Sequence, residues 1–109
     1  MPTWEENLKQ YDAMVAKCSR FERKGKTMPY TSANGHMFSL FNKDSEIGIR
    51  FSKEVQTKYL NELNTTLYKS YGAIMKGYIL IPETLWGDEE VVVRLLNESY
   101  DYVMMLDPK

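Results

Sequence analysis

The chain has 109 residues, of which 43% are hydrophobic and 27% charged, a composition typical of one globular domain and not of a disordered segment. A formal net charge of −1 gives it no overall attraction for nucleic acid or for an anionic membrane. The single cysteine excludes an internal disulfide, and no apolar run reaches the roughly 20 residues that span a bilayer. We therefore expect one domain over residues 1–109, without contact to a membrane, in the cytoplasm.

The first predicted element is an amphipathic helix. Thr3 is its expected N-cap, and the two glutamates that follow lie where the helix dipole favours negative charge. The basic run at 20–26 is expected to end this helix, with Gly25 as the breaker. Five residues recur at the spacing of one helix face: Trp4, Leu8, Tyr11, Val15 and Cys18.

Three antiparallel strands are predicted next. The dipeptide Asn34-Gly35 is a strong hairpin signal, because a type I′ turn needs positive φ at both central residues. It predicts a hairpin between strands at 28–33 and 36–41. After a polar turn, apolar residues alternate with other types in the pattern of a half-buried strand: Ile47, Gly48, Ile49, Arg50 and Phe51.

A second helix is predicted after Ser52, its expected cap, with Val55, Tyr59 and Leu63 on the inward face. The polar residues at 64–66 are expected to end it.

Two strands at 67–71 and 74–81 come before a last helix, which is expected to begin at Asp88 and to end before Pro108. The order of elements predicts an α+β fold, an antiparallel sheet of about five strands in α-βββ-α-ββ-α order with helices packed on it. The inward face of the last helix is expected to carry Val92, Leu95, Leu96, Ser99, Val103 and Leu106.

Short motifs in these elements resemble the N-terminal domain of TfoX-like proteins. The family patterns D-G-x-M-F, L-x-x-R, G-R-P-M-K-G-Y, P-E and L-P-P-K have similar counterparts here in the same order. The resemblance covers roughly residues 24–109 and implies a small bacterial protein of that fold that takes part in regulation by protein contact. The counterparts are Asn34-Gly-His-Met-Phe38, Ile47-Gly-Ile-Arg50, Gly72-Ala-Ile-Met-Lys-Gly-Tyr78, Pro82-Glu83 and Leu106-Asp-Pro-Lys109.

The chain departs from the family pattern at two places. Lys26-Thr-Met-Pro-Tyr30 stands where family members carry K-M-F-G-G, and Ala73 replaces the arginine of G-R-P-M. Some longer relatives regulate natural competence and carry a second, helical domain. Because this chain corresponds to the first domain alone, the resemblance does not transfer a competence role to it.

Residues with catalytic or metal-binding chemistry are few. One histidine and one cysteine on different predicted elements do not favour a metal site. Cys18 is expected to be a small buried hydrophobe and His36 an exposed turn residue. Glu83, Asp88, Glu89 and Glu90 are crowded enough for acid–base work, but the dipole of a helix N-terminus explains the last three without catalysis, and that interpretation is favoured. We expect no catalytic residues, no metal and no cofactor, which favours a protein that is not an enzyme.

Basic residues are concentrated near the end of the first helix. They could contact phosphates, but they offer no stacking platform for bases and nearby acids dilute them, so a solvated helix end is favoured over nucleic-acid binding. The residues are Lys17, Arg20, Arg23, Lys24 and Lys26.

The last two strands hold the candidate interaction residues. Tyr68, Tyr71 and Tyr78 can form an aromatic patch, which is either the margin of the core, the favoured interpretation, or the centre of an interface. Gly77 indicates a bulge or a close approach, for which helix packing across the sheet is favoured over a ligand. Lys76 could hold an anion or act as a base, although a solvated edge lysine is favoured.

From these residues we predict a non-enzymatic regulatory or protein-interaction module. Its partner could be another protein or a second copy of the chain in a homodimer. The alternative is a small-molecule or anion-binding domain, or a modest enzyme, that uses the segment Met75-Lys76-Gly77-Tyr78.

Overall fold

A computed structural model describes residues 3–70 and 72–109 of the chain. The described helices and strands follow the α-βββ-α-ββ-α order, so the predicted α+β fold is confirmed. A short 3-10 turn, Glu83–Leu85, precedes the last helix. The elements are α1 (Trp4–Ala16), β1 (Tyr30–Ala33), β2 (His36–Phe41), β3 (Ile47–Arg50), α2 (Lys53–Glu62), β4 (Leu67–Ser70), β5 (Ala73–Leu80) and α3 (Glu89–Met104).

The five strands form one antiparallel sheet in the order β1-β2-β3-β5-β4. The predicted hairpin joins β1 to β2, and both turn residues have positive φ, 56° for Asn34 and 79° for Gly35. These values confirm the type I′ turn that the dipeptide predicts. Strand β5 pairs with β3, which leaves β4 at one edge of the sheet and β1 at the other.

Side-chain caps fix the start of two helices as expected. The Thr3 hydroxyl accepts a hydrogen bond from the Glu6 amide at 3.2 Å, and the Ser52 hydroxyl accepts one from the Val55 amide at 3.3 Å. Asp88 occupies the N-cap position of α3, but in the described structure its carboxylate makes no capping bond. Helix α3 therefore depends on its packing against the sheet more than on its cap.

Helix α1 ends earlier than the sequence pattern predicts. Its last residue is Ala16, so the expectation that the helix runs to the basic segment and stops at Gly25 is wrong. The chain leaves the helix and inserts Phe21 into the core, edge-on to Phe38 at 4.9 Å and stacked on Tyr100 at 5.4 Å between ring centroids. These tertiary contacts outweigh the weak local preference for a longer helix.

All three helices pack on one face of the sheet. The main core lies between this helix-covered face and the helices, where Tyr11 of α1 and Leu95 of α3 are fully buried. The opposite face, called the open face below, carries a smaller cluster built from strand and loop residues. Its buried members are Leu40, Tyr68 and Tyr78.

Tyr68 covers part of the open face, where its ring lies on Gly48. A Cβ atom added at Gly48 would come within 2.3 Å of Cδ2 of that ring. The alternation along β3 predicted a half-buried strand, and this is wrong: Ile47, Gly48 and Ile49 are all buried, because Tyr68 covers the glycine. The Tyr68 hydroxyl donates to the carbonyl oxygens of Leu40 at 3.3 Å and Glu46 at 3.0 Å.

These contacts show that the sheet curls over its open face. Strands β2 and β4 are three positions apart, which is about 14 Å in a flat sheet and beyond the reach of a tyrosine side chain. Yet Tyr68 of β4 bonds Leu40 of β2. The Asn42 side-chain amide, just after β2, likewise donates to the Lys69 carbonyl oxygen of β4 at 3.3 Å. The β4–β5 hairpin therefore folds back toward β1 and β2.

Replacing Gly48 with alanine is expected to destabilise the fold by about 1–3 kcal/mol, because the new methyl group would displace the Tyr68 ring. Urea unfolding measures the loss. Gly87→Ala is the matched control, since a Cβ there meets no described atom within 4 Å. Equal stability of the two variants would show that the Tyr68 ring is not held against Gly48.

Candidate functional site

The structure places the predicted interaction residues in different surroundings. Tyr68 and Tyr78 are buried, 0% and 5% exposed, which agrees with the interpretation of these rings as a margin of the core. Lys76 is exposed and Gly77 is half-buried on β5. Tyr71 lies outside the described residues. Neither buried tyrosine presents its ring to a partner in this conformation.

Tyr78 anchors β5 to the far side of the open face. Its hydroxyl donates to the Met37 carbonyl oxygen at 2.8 Å, and its ring lies 6.2 Å from the Tyr68 ring. Burial raises the pKa of both phenols far above the ordinary value. The two hydroxyls are therefore neutral donors that tie the hairpin to the sheet, and neither is suited to act as a base near neutral pH.

Gly77 lies in a large bulge of β5. Leu67 of β4 pairs with Ile79 of β5, and Lys69 pairs with Ile74. Two positions along β4 therefore correspond to five along β5, so several β5 residues have no direct partner on β4. Gly77 has a φ of 88°, a conformation that side-chain-bearing residues rarely adopt. The favoured interpretation, close packing of a helix, is wrong: the nearest atoms to an added Cβ are Cγ of Arg50 at 3.4 Å and the Phe51 carbonyl oxygen at 3.5 Å.

The two sides of the β4–β5 hairpin carry different residues. Side chains alternate along a strand, so Tyr68, Ser70 and Met75 project toward the open face, and Leu67 and Ile74 project the other way. Both sides carry a feature that the sequence analysis missed.

On the open face, the curl of the sheet forms an apolar cavity of about 360 Å³. Three methionines from separate parts of the chain meet there, together with a serine hydroxyl that has no hydrogen-bond partner among the described residues. The hydrophobic periodicity of the sequence does not indicate this cavity, because the cavity forms only when the β4–β5 hairpin folds back over the sheet. The lining residues are Met28, Tyr30, Met37, Leu40, Ser70 and Met75.

On the outer side of the hairpin, Leu67 and Ile74 are 41% and 56% exposed. They line a surface groove of about 600 Å³ together with Glu46 and Lys69. The sequence does show that Leu67 and Ile74 are apolar. It does not show that they share one side of the hairpin, because that conclusion requires the register of β4 and β5.

The basic residues after α1 are largely paired. Three of them form ion pairs in which a side-chain nitrogen lies within 3 Å of a carboxylate oxygen. The pairs are Lys17 Nζ with Glu89 Oε1 at 2.6 Å, Arg20 Nη1 with Asp101 Oδ1 at 2.7 Å, and Arg23 Nε with Asp12 Oδ1 at 2.8 Å. Two of these three ion pairs join the segment to α3, because Glu89 begins that helix and Asp101 lies in its last turn. This pairing fits the interpretation of the segment as a solvated, charge-balanced surface.

Cys18 and His36 are held in structural roles. Burial raises the pKa of the Cys18 thiol to about 11, so the reactive thiolate is scarce at neutral pH. A ring nitrogen of His36, Nε2, lies 2.8 Å from the Asp107 carbonyl oxygen, which ties the first hairpin to the C-terminal segment.

Across residues 3–70 and 72–109, no three His, Cys, Asp or Glu side chains come together as metal ligands would. Within the same residues, no helix has the length and apolar character to cross a membrane.

Comparison with known proteins does not add a family. No protein-family model matches the chain, and a search of curated proteins finds no match. The TfoX-like resemblance stays a prediction that depends on the short motifs quoted above.

The buried phenols predict that stability falls steeply above pH 10. Burial raises the pKa of Tyr11, Tyr68 and Tyr78 well above 10, so the folded chain keeps protons that the unfolded chain releases. Their contribution is complete below pH 10 and is lost as the pH rises toward the folded-state values, by about 1.4 kcal/mol per pH unit for each residue.

Circular dichroism and the near-ultraviolet absorbance of tyrosinate, recorded across the same alkaline titration, test this expectation. The buried phenols should ionise only as the protein unfolds, and Tyr68→Phe should make the pH dependence of stability less steep. Ionisation of all eight tyrosines in a folded protein would contradict the placement of these rings.

Proposed function

We propose that this chain is a small, non-enzymatic protein-interaction module with a regulatory role, and that it contacts its partner through the outer side of the β4–β5 hairpin. The observation that carries the proposal is the exposure of two large apolar side chains, Leu67 and Ile74, on one side of this hairpin. Exposed apolar side chains that cluster on a folded surface mark sites of contact with other proteins.

The register of the hairpin places the two residues together. Leu67 pairs with Ile79 and Lys69 pairs with Ile74, so Leu67, Lys69 and Ile74 lie on the same side of the hairpin. The groove between them also contains Glu46, which gives an apolar centre with one positive and one negative charge at its margin. Interfaces commonly combine an apolar centre with such a polar rim.

The buried tyrosines have a supporting part in this proposal. Hydroxyl bonds from Tyr68 to Leu40 and Glu46, and from Tyr78 to Met37, hold the hairpin in one orientation. A contact surface that is fixed before binding loses little conformational entropy when the partner arrives. Tyr68 and Tyr78 would thus position the surface, and Leu67 and Ile74 would touch the partner.

The TfoX-like resemblance supports the regulatory part of the proposal. Its most specific motif, Gly72 to Tyr78, includes most of β5 and therefore one half of the proposed contact hairpin. In this proposal the chain is a bacterial cytoplasmic protein that acts by binding, and a role in natural competence is not carried over.

Leu67→Asp combined with Ile74→Asp is expected to abolish binding of the partner, because each aspartate would place a charge in the apolar centre of the interface. Stability should change little, since both positions are exposed. Affinity capture of tagged protein from its native lysate, quantified by mass spectrometry, measures partner binding, and light scattering after size exclusion measures self-association.

Met105→Asp is the control, because Met105 is 84% exposed at the end of α3 and lies outside the groove. Wild-type protein and the control should retain the same partner, or the same dimer, and the hairpin variant should lose it. Equal recovery with all three proteins would exclude the hairpin as the contact surface. A wild-type protein that is monomeric and captures nothing would contradict the proposed function.

A further inference from the structure

The apolar cavity on the open face is a second candidate site, separate from the proposed contact surface. It lies on the side of the hairpin opposite to Leu67 and Ile74, between Met75 of β5 and Met37 and Leu40 of β2. Its volume of about 360 Å³ falls in the range of pockets that hold small molecules. Methionine side chains are flexible and polarisable, so a wall of three of them can adapt to ligands of different shape.

One polar group interrupts the apolar wall of the cavity. Ser70 is 8% exposed, and strand alternation directs its side chain to the same face as Tyr68, toward the cavity that it lines. Its Oγ makes no hydrogen bond with any described residue. Buried hydroxyls nearly always have a partner in native proteins, because leaving one unpaired is costly. A ligand in the cavity could supply the missing partner.

We infer that this cavity binds a small apolar molecule, aromatic or branched aliphatic, whose single hydroxyl or carbonyl group hydrogen-bonds to Ser70. None of the six lining residues is charged, so the site suits a neutral molecule and does not favour an anion. The small-molecule alternative raised by the sequence thus takes a specific form, in which Met75 contributes and the exposed Lys76 does not.

The inference is tested with two probes of the same shape, p-cresol and toluene, which differ by one hydroxyl group. Methionine methyl signals in NMR spectra report where each probe binds, after assignment by Met→Leu substitution. Both probes should shift the signals of Met28, Met37 and Met75. The signals of Met104 and Met105 serve as internal controls, since these side chains are 47% and 84% exposed and do not line the cavity.

Ser70→Ala tests the hydrogen bond. This variant should bind p-cresol roughly three- to tenfold more weakly than the wild type, the loss expected for one hydrogen bond, and should bind toluene equally well. Its thermal midpoint should be unchanged or higher, because the substitution removes a buried hydroxyl without a partner. An unchanged affinity for p-cresol would overturn the assignment of Ser70.

Met75→Trp provides a second variant, since a larger side chain would fill the cavity and should abolish binding of both probes. The inference is overturned if saturating concentrations of either probe leave all three cavity methyl signals in place. Probe binding should persist in the Leu67→Asp, Ile74→Asp protein. The outcome for this cavity can therefore be distinguished from the outcome for the proposed contact surface.

Discussion

The contact of the Tyr68 ring with Gly48 is the constraint on which the two candidate sites depend. Any side chain at position 48 would occupy the space of the ring, so glycine lets a residue of the edge strand reach across the sheet. The ring then bridges β4 to β2 through its hydroxyl. Together with the bonds from Asn42 to Lys69 and from Tyr78 to Met37, this bridge holds the β4–β5 hairpin over the open face, where the cavity forms.

The curled hairpin divides its side chains between two environments. Tyr68, Ser70 and Met75 face the interior of the curl, and Leu67 and Ile74 face solvent. The bulge at Gly77 allows β5 to bend and still pair with β3 at one end and with β4 at the other, because the extra residues of β5 lie in the bend. One short hairpin thereby carries both the proposed contact surface and the cavity for which a small apolar ligand is inferred.

Local signals in the sequence were sufficient to predict the elements and their order. The Asn34-Gly35 turn and the Ser52 cap depend on nearby residues alone, so short-range chemistry determines them. The burial of Gly48 and the early end of α1 could not be predicted, since each depends on ring contacts between residues that are distant in the chain. The cavity and the exposed pair on the hairpin were missed for the same reason: they require the strand register and the curl of the sheet.

The three thioethers of the cavity wall also make the open face sensitive to oxidants. Met28, Met37 and Met75 are half-buried and line a cavity that opens to the surface, so a dissolved peroxide has a route to this part of the protein. Transfer of one oxygen atom from the peroxide converts a thioether to a polar, chiral sulfoxide, and methionine sulfoxide reductases reverse the change. A wall of sulfoxides would accept hydrogen bonds from water and would no longer favour apolar contents. Oxidation of these methionines would therefore weaken the apolar binding inferred for the cavity, and reduction would restore it.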